Sequence, residues 1–225
     1  MVGRICYGPG GWGGVKPEER YGLPLLVGRV DPEGWFAQGR LRRAARGMSR
    51  RGVRRVLAPP DFNNWEMLQP WQLIPVSPEP LVRFKAGEVA LAALERMDRA
   101  PDRAAVALRA DRVDRDMVRA ACALCPQVRN LIVDAPRGGG ELANWLRWEF
   151  GIPVLPPGEE GTLALRFGKG EEGEEHTLHL YGQKPDLKGV SLWTPMLGEE
   201  ERHDLPLLTL LWERGRLGTE ELKIT

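Results

Sequence analysis

Between Ala104 and Pro157 the chain alternates short, unbroken apolar runs with amphipathic stretches, and this limits its possible folds more than any other feature. AAVALRA (104–110), NLIVDAP (130–136) and IPVLPP (152–157) are too short for buried helices. The first is a continuous apolar run, the signature of a strand covered on both faces, and the other two read as the next strands. Between the first two, residues 114–125 place Val118, Ala121, Cys122 and Cys125 on one helical stripe. GGGELANWLRWEF (138–150) reads as the next helix, with Gly151 where a C-terminal cap glycine belongs. Strands and helices alternating at this spacing require right-handed crossovers and a mostly parallel sheet.

The flanking regions extend this pattern with weaker signals. YGPGGWGG (7–14) is too rich in glycine for regular structure and reads as a flexible loop or a lid over the strand ends. LPLLVGRV (23–30) reads as a buried strand. Trp35, Phe36, Leu41, Ala44, Ala45 and Met48 then recur at helical spacing up to about Gly52. RRVLAPP (54–60) is a strand stopped by prolines, WQLIPVS a candidate strand in the 61–79 connection, and 82–97 a helix. After Pro157, TLALRFG (162–168) and HTLHLYG (176–182) flank the acidic, glycine-rich GKGEEGEE, which suggests an antiparallel hairpin. LPLLTLLWERG (205–215) reads as a helix and the terminal ELKIT as an edge strand.

Residues 104–156 resemble the Rossmann-like superfold in general. The resemblance implies an architecture and a nucleotide or metabolite site, and no particular activity. The expected fold is therefore α/β: a Rossmann-like, mostly parallel sheet with helices on both faces, plus a C-terminal antiparallel hairpin. Residues 1–157 would form the core with its glycine-rich N-terminal loop, and 158–225 a hairpin-and-helix extension of the same domain.

Composition narrows the function classes. With 42% apolar and 28% charged residues in 225, the chain can bury a core. No run approaches the ~18 consecutive apolar residues that span a bilayer, and the N-terminus carries no secretory apolar run. Three cysteines make no disulfide framework. These features point to a soluble, cytoplasmic, bacterial-type protein with no membrane partner, although a homo-oligomer remains open. The net charge of +1 hides eight arginines between Arg40 and Arg55, with no acid between Glu33 and Asp61. Arginine outnumbers lysine 26 to 6, so the cluster reads first as a solvated face in an arginine-rich chain. Nucleic acid ranks low as a partner, because stacking platforms are not interleaved with these arginines in the sequence.

In open parallel sheets, ligands bind beyond the carboxyl ends of the strands. Three inferred strands deliver Asp61 and Asn63, then Asp111, then Asp134, Arg137, Gly138, Gly139 and Gly140. If the runs starting near Arg54, Ala104 and Asn130 are neighbours, these residues share one rim. Arg137 and a helix N-terminus would then meet an anion while the aspartates accept hydrogen bonds from hydroxyls. The competing reading gives Asp134 and the glycines only a turn-shaping role.

No cofactor is assigned. A dinucleotide fingerprint would need staggered glycines and a P-loop Gly-Lys-Ser/Thr, and the loose glycine spacing from Gly8 to Gly13 is interrupted by Pro9. No metal is expected either. Cys122 and Cys125 fall on a buried helical stripe, and His176 and His179 are three apart in a strand, where side chains oppose. The expected function is binding of a small anionic metabolite or nucleotide. The alternative is a non-catalytic interaction or assembly protein on a degenerate Rossmann-like fold.

Overall fold

The computed structural model describes residues 1–169 and 175–225. Most of the acidic, glycine-rich segment before His176 therefore lies outside the described residues. The chain divides into two compact units: Met1–Ser77 with Asp204–Thr219, and Pro78–His203 with Glu220–Thr225.

The first unit opens with β1 (Val2–Tyr7), β2 (Trp12–Arg20) and β3 (Leu23–Val30), followed by α1 (Ala37–Ser49), β4 (Arg55–Leu57) and β5 (Ile74–Pro75). The strands form a five-stranded mixed sheet in the order β2-β3-β1-β4-β5, with β2 antiparallel to β3 and the other pairs parallel. Helix α1 buries Leu41, Ala44, Ala45 and Met48 against this sheet, as their spacing predicts. Trp35 and Phe36 precede α1 and are exposed rather than part of that apolar face. A helix over Leu205–Glu213 belongs to the same unit, where Glu213 pairs with Arg55 at 2.6 Å.

Strands β1 and β2 flank the turn read as a flexible glycine loop. Most of β2 is exposed, so it has no clean alternation for sequence to register, and Pro17 is tolerated there because the strand is at the sheet edge. Gly13 is required by geometry. It has φ +72°, and a Cβ there would lie 2.0 Å from the carbonyl oxygen of Arg40.

The second unit runs α2 (Glu79–Phe84), α3 (Ala86–Arg96), β6 (Ala105–Arg109), α4 (Arg115–Leu124), β7 (Asn130–Asp134), α5 (Gly139–Phe150) and β8 (Val154–Leu155). It continues with β9 (Leu163–Arg166), β10 (Thr177–His179), β11 (Leu192–Trp193) and, near the C-terminus, β12 (Lys223–Ile224). Five strands form an all-parallel sheet in the order β10-β9-β6-β7-β8. The α/β class, the parallel sheet and the three strands read between Ala104 and Pro157 (β6, β7 and the edge strand β8) agree with the sequence reading.

Three local expectations are corrected. The TLALRFG and HTLHLYG segments pair in parallel, not as a hairpin, with Leu178 opposite Leu165. Alternation sets which face a side chain occupies but is silent on strand direction. The C-terminal antiparallel pair is formed instead by β11 and β12. The buried stripe of α4 is Met117, Ala120, Ala121 and Leu124, turned from the expected one, which leaves Val118 and Cys122 half-buried. Finally, the strand starting near Arg54 is not a neighbour of those starting near Ala104 and Asn130. β4 belongs to the mixed sheet, and β6 and β7 to the parallel one.

Within the parallel sheet the two faces differ. Val106, Leu108, Leu131, Val133, Leu163 and Leu165 fill one face with large side chains, all at most 4% exposed. The other carries a row of smaller contacts, Ala107, Ala164 and Ile132, with Ala105 and Leu155 beside them. That second face ends in polar residues at the carboxyl edge.

Candidate ligand site at the strand ends

The last residues of four neighbouring parallel strands are in register: His179 of β10 opposite Arg166 of β9, Arg166 opposite Arg109 of β6, and Arg109 opposite Asp134 of β7. In-register residues of a parallel sheet share a face, so these four side chains form one polar row past the Ala164–Ala107–Ile132 row. The backbone beyond the strands is also tied together. Ala110 donates to the Asp134 carbonyl at 3.1 Å, and Phe167 to the Arg109 carbonyl at 2.9 Å.

A cavity of about 300 Å³ opens at this edge, lined by Arg109, Asp111, Asp134, Arg166 and Lys169 with Ala110, Pro136 and Gly168. It lies where the chain order reverses: β6 is followed on one side by β7 and β8, and on its other side by β9 and β10. That is the topological switch point at which open α/β sheets leave a crevice. Three cationic and two anionic side chains face it. Arg109 Nε lies 4.0 Å from the Asp134 carboxylate, and the Asp111 carboxylate lies 4.0 Å from where a Cβ on Gly168 would be. The arrangement suits a ligand with an anionic group for the guanidinium forks and hydroxyls for the carboxylates.

The structure thus brings Asp111 and Asp134 together. Arg137 and Gly138–Gly140 do not line this cavity. The Arg137 carbonyl accepts from Val113 N at 2.9 Å, extending the strand pairing through the Arg112–Arg137 bridge. Gly138 is left-handed at φ +81°, and a Cβ there would lie 3.3 Å from Val113, so the glycine shapes a packed turn into α5. Asp61 and Asn63 follow β4 in the other sheet and share no strand edge with Asp111 or Asp134. Asp61 instead acts on Tyr7, whose phenol is held above its usual range by burial and then by the Asp61 charge.

Arg166 and Lys169 are cavity residues that the sequence reading does not single out; their signal is the basic end of an apolar run, LALRFGK, which the hairpin reading left unassigned to the sheet edge. His179 is only 7% exposed, and neither ring nitrogen has a hydrogen-bond partner among the described residues. Its ring meets Tyr181 edge-on at 5.7 Å. The neighbouring Asp186 carboxyl is held below the usual range chiefly by its hydrogen bond with Lys188.

The cysteine pair has a packing environment. Burial pushes the Cys125 thiol up to about 11, helped by Cys122, and burial also raises Cys122. His176 and His179 lie on different surroundings: His176 is exposed and left-handed, His179 buried. Among the described residues, no three His, Cys, Asp or Glu side chains converge as a metal set. No helix among them is long and apolar enough to cross a membrane.

Comparison with protein-family models gives no match, and comparison with curated proteins gives none. Among solved structures, the chain is similar to an L-tryptophan dehydrogenase from Nostoc punctiforme, at 16% identity and a TM-score of 0.33. The match covers 64% of this chain and 44% of that one, so this chain corresponds to less than half of the dehydrogenase's length.

Proposed function

We propose that the protein binds a small anionic metabolite or nucleotide at the carboxyl ends of β9, β6 and β7. Arg109, Arg166 and Lys169 neutralise a phosphate or carboxylate, and Asp111 and Asp134 accept hydrogen bonds from hydroxyl groups. The observation that carries this reading is the charged cavity at the switch point of the parallel sheet.

A thermal-shift screen of the full chain against nucleotides, sugar phosphates and dicarboxylates tests it. A ligand that binds only the folded state raises the unfolding midpoint in a saturable way. The expected result is a rise with at least one phosphate- or carboxylate-bearing class, lost in Arg166→Ala. A screen with no saturable shift overturns the reading.

A second reading, a non-catalytic interaction protein, is favoured by one feature of α5. Trp148 is 90% exposed, and on the same helix the partly exposed rings of Trp145 and Phe150 meet edge-on at 5.7 Å, so α5 offers several aromatic side chains to a partner. Concentration-dependent self-association by light scattering, lost in Trp148→Ala, supports that reading.

A further inference from the structure

We propose that the first unit carries a second, independent binding site: α1 and the loops at its N-terminal end bind single-stranded nucleic acid. In the sequence, arginines crowd 40–55 while the nearby aromatics stand outside the cluster, and tertiary structure removes that separation. Trp12, 28 residues upstream of Arg40, is carried back by β2 so that the Arg40 guanidinium stands 5.9 Å from its ring centroid. Arg40 is itself held in place. Its guanidinium pairs with Asp31 at 3.2 Å and donates to the Glu33 carbonyl at 3.2 Å. The Asp31 carboxylate in turn accepts from Gly10 N and Glu33 N. This staple fixes the 8–11 turn that leads to Trp12 and the loop that presents Trp35 and Phe36. Trp35 is fully exposed, and Phe36 and Trp12 are each 74% exposed. Three unburied aromatics held by an ion pair are a stacking platform rather than unfinished core.

The basic component continues from the platform. Arg42, Arg43, Arg46 and Arg50 are exposed, and no ion pair with a described residue engages them. At about 100° per residue they fall within one quarter-to-third of the helix circumference, opposite buried Leu41, Ala44, Ala45 and Met48. Arg42, Arg46 and Arg50 each step about 6 Å along the axis, forming a line of guanidiniums for successive phosphates. The other three cluster arginines serve the fold: Arg51 donates to the Val15 carbonyl, Arg54 to the Gln72 side chain, and Arg55 pairs with Glu213. The nearby acids are Asp31, already paired, and exposed Glu33.

A single strand fits better than the alternatives. Duplex bases are stacked on each other and cannot use three protruding rings. An anionic bilayer is a poorer match, because an interfacial helix needs an outward apolar face, and the large apolar residues of α1, Leu41 and Met48, are consumed in the core.

Fluorescence anisotropy of the full-length protein with labelled oligo(dT) and oligo(U) of about 15 nucleotides tests the proposal. Binding should be saturable at low salt, with a log–log salt slope near −3 if the four exposed arginines each meet a phosphate (about −0.7 per contact on single strands). Arg42→Gln with Arg46→Gln should lower that slope by about 1.4. Trp35→Ala should leave the slope unchanged and weaken binding at least about fivefold, the loss expected for one stacked base. All these positions are exposed, and circular dichroism checks that each variant folds. No saturable binding overturns the proposal. So does equal binding of duplex, an affinity indifferent to both variants, or sedimentation with phosphatidylserine vesicles without oligonucleotide binding. Because Arg166→Ala leaves α1 intact, loss of the strand-end ligand and loss of oligonucleotide binding separate the two sites.

Discussion

Arg166 and Arg109 occupy the same register position on adjacent parallel strands, each at its carboxyl end and both lining one cavity. Both side chains present cationic groups to that cavity, a lining that suits an anionic ligand. Asp134, in register on the far side of Arg109, supplies part of the balance.

The first prediction separates this row from the glycine turn. For any phosphate-bearing ligand found in the thermal-shift screen, Arg166→Ala should weaken binding by roughly tenfold or more, the loss expected for one charged hydrogen bond. Arg137→Ala, outside the cavity, should stay within twofold. Isothermal titration calorimetry on the two variants gives the comparison, and the reverse ranking would move the site to the turn.

The turn has its own test. Gly138→Ala should destabilise the protein by about 1–2 kcal/mol, since φ +81° is left-handed and Val113 stands 3.3 Å from the new methyl group. Gly140→Ala, inside α5 with open space around it, should be neutral or stabilising by up to about 1 kcal/mol. Urea unfolding resolves the pair, and equal effects would show that the turn is not what demands glycine there.

A third prediction concerns His179, whose buried ring nitrogens lack partners among the described residues. Replacing an unsatisfied buried polar ring with a ring of similar shape removes a desolvation cost. His179→Phe should therefore match the parent or exceed it by about 1 kcal/mol in the same assay. A loss of several kcal/mol would reveal a hydrogen bond to the imidazole.

The Cys125 thiol sets a pH dependence. Its folded pKa is pushed to about 11, above the ordinary value of 9.0. Between those values the unfolded chain releases a proton that the folded chain keeps. The folded state then binds more protons, and stability falls as pH rises. Cys125→Ala should flatten the decline in urea midpoint between about pH 9 and about pH 11, the window set by those two pKa values. Identical slopes for parent and variant would assign the alkaline loss to other groups.

How much of the site was legible can be judged residue by residue. Asp111 and Asp134 were found because each follows a continuous apolar run, and a parallel strand buried on both faces must deliver its next polar residue to the carboxyl edge. Asp61 followed the same rule and was assigned to the wrong company, since a strand's local pattern carries no information about which sheet it joins. Arg166 was lost with the direction of β9, and Trp12 because β2 at the sheet edge shows almost no buried face.

The sequence by itself determined strands β6 and β7, helix α5 and the α1 core face, because side-chain periodicity and burial are local properties written along the chain; β2, exposed at a sheet edge, carried no such signal. Tertiary structure alone decided the partition of strands between two sheets, the parallel sense of β9 and β10, and the meeting of Arg40 with Trp12. Those depend on hydrogen-bond pairing and packing between segments far apart in sequence, and many pairings satisfy the same local pattern equally well.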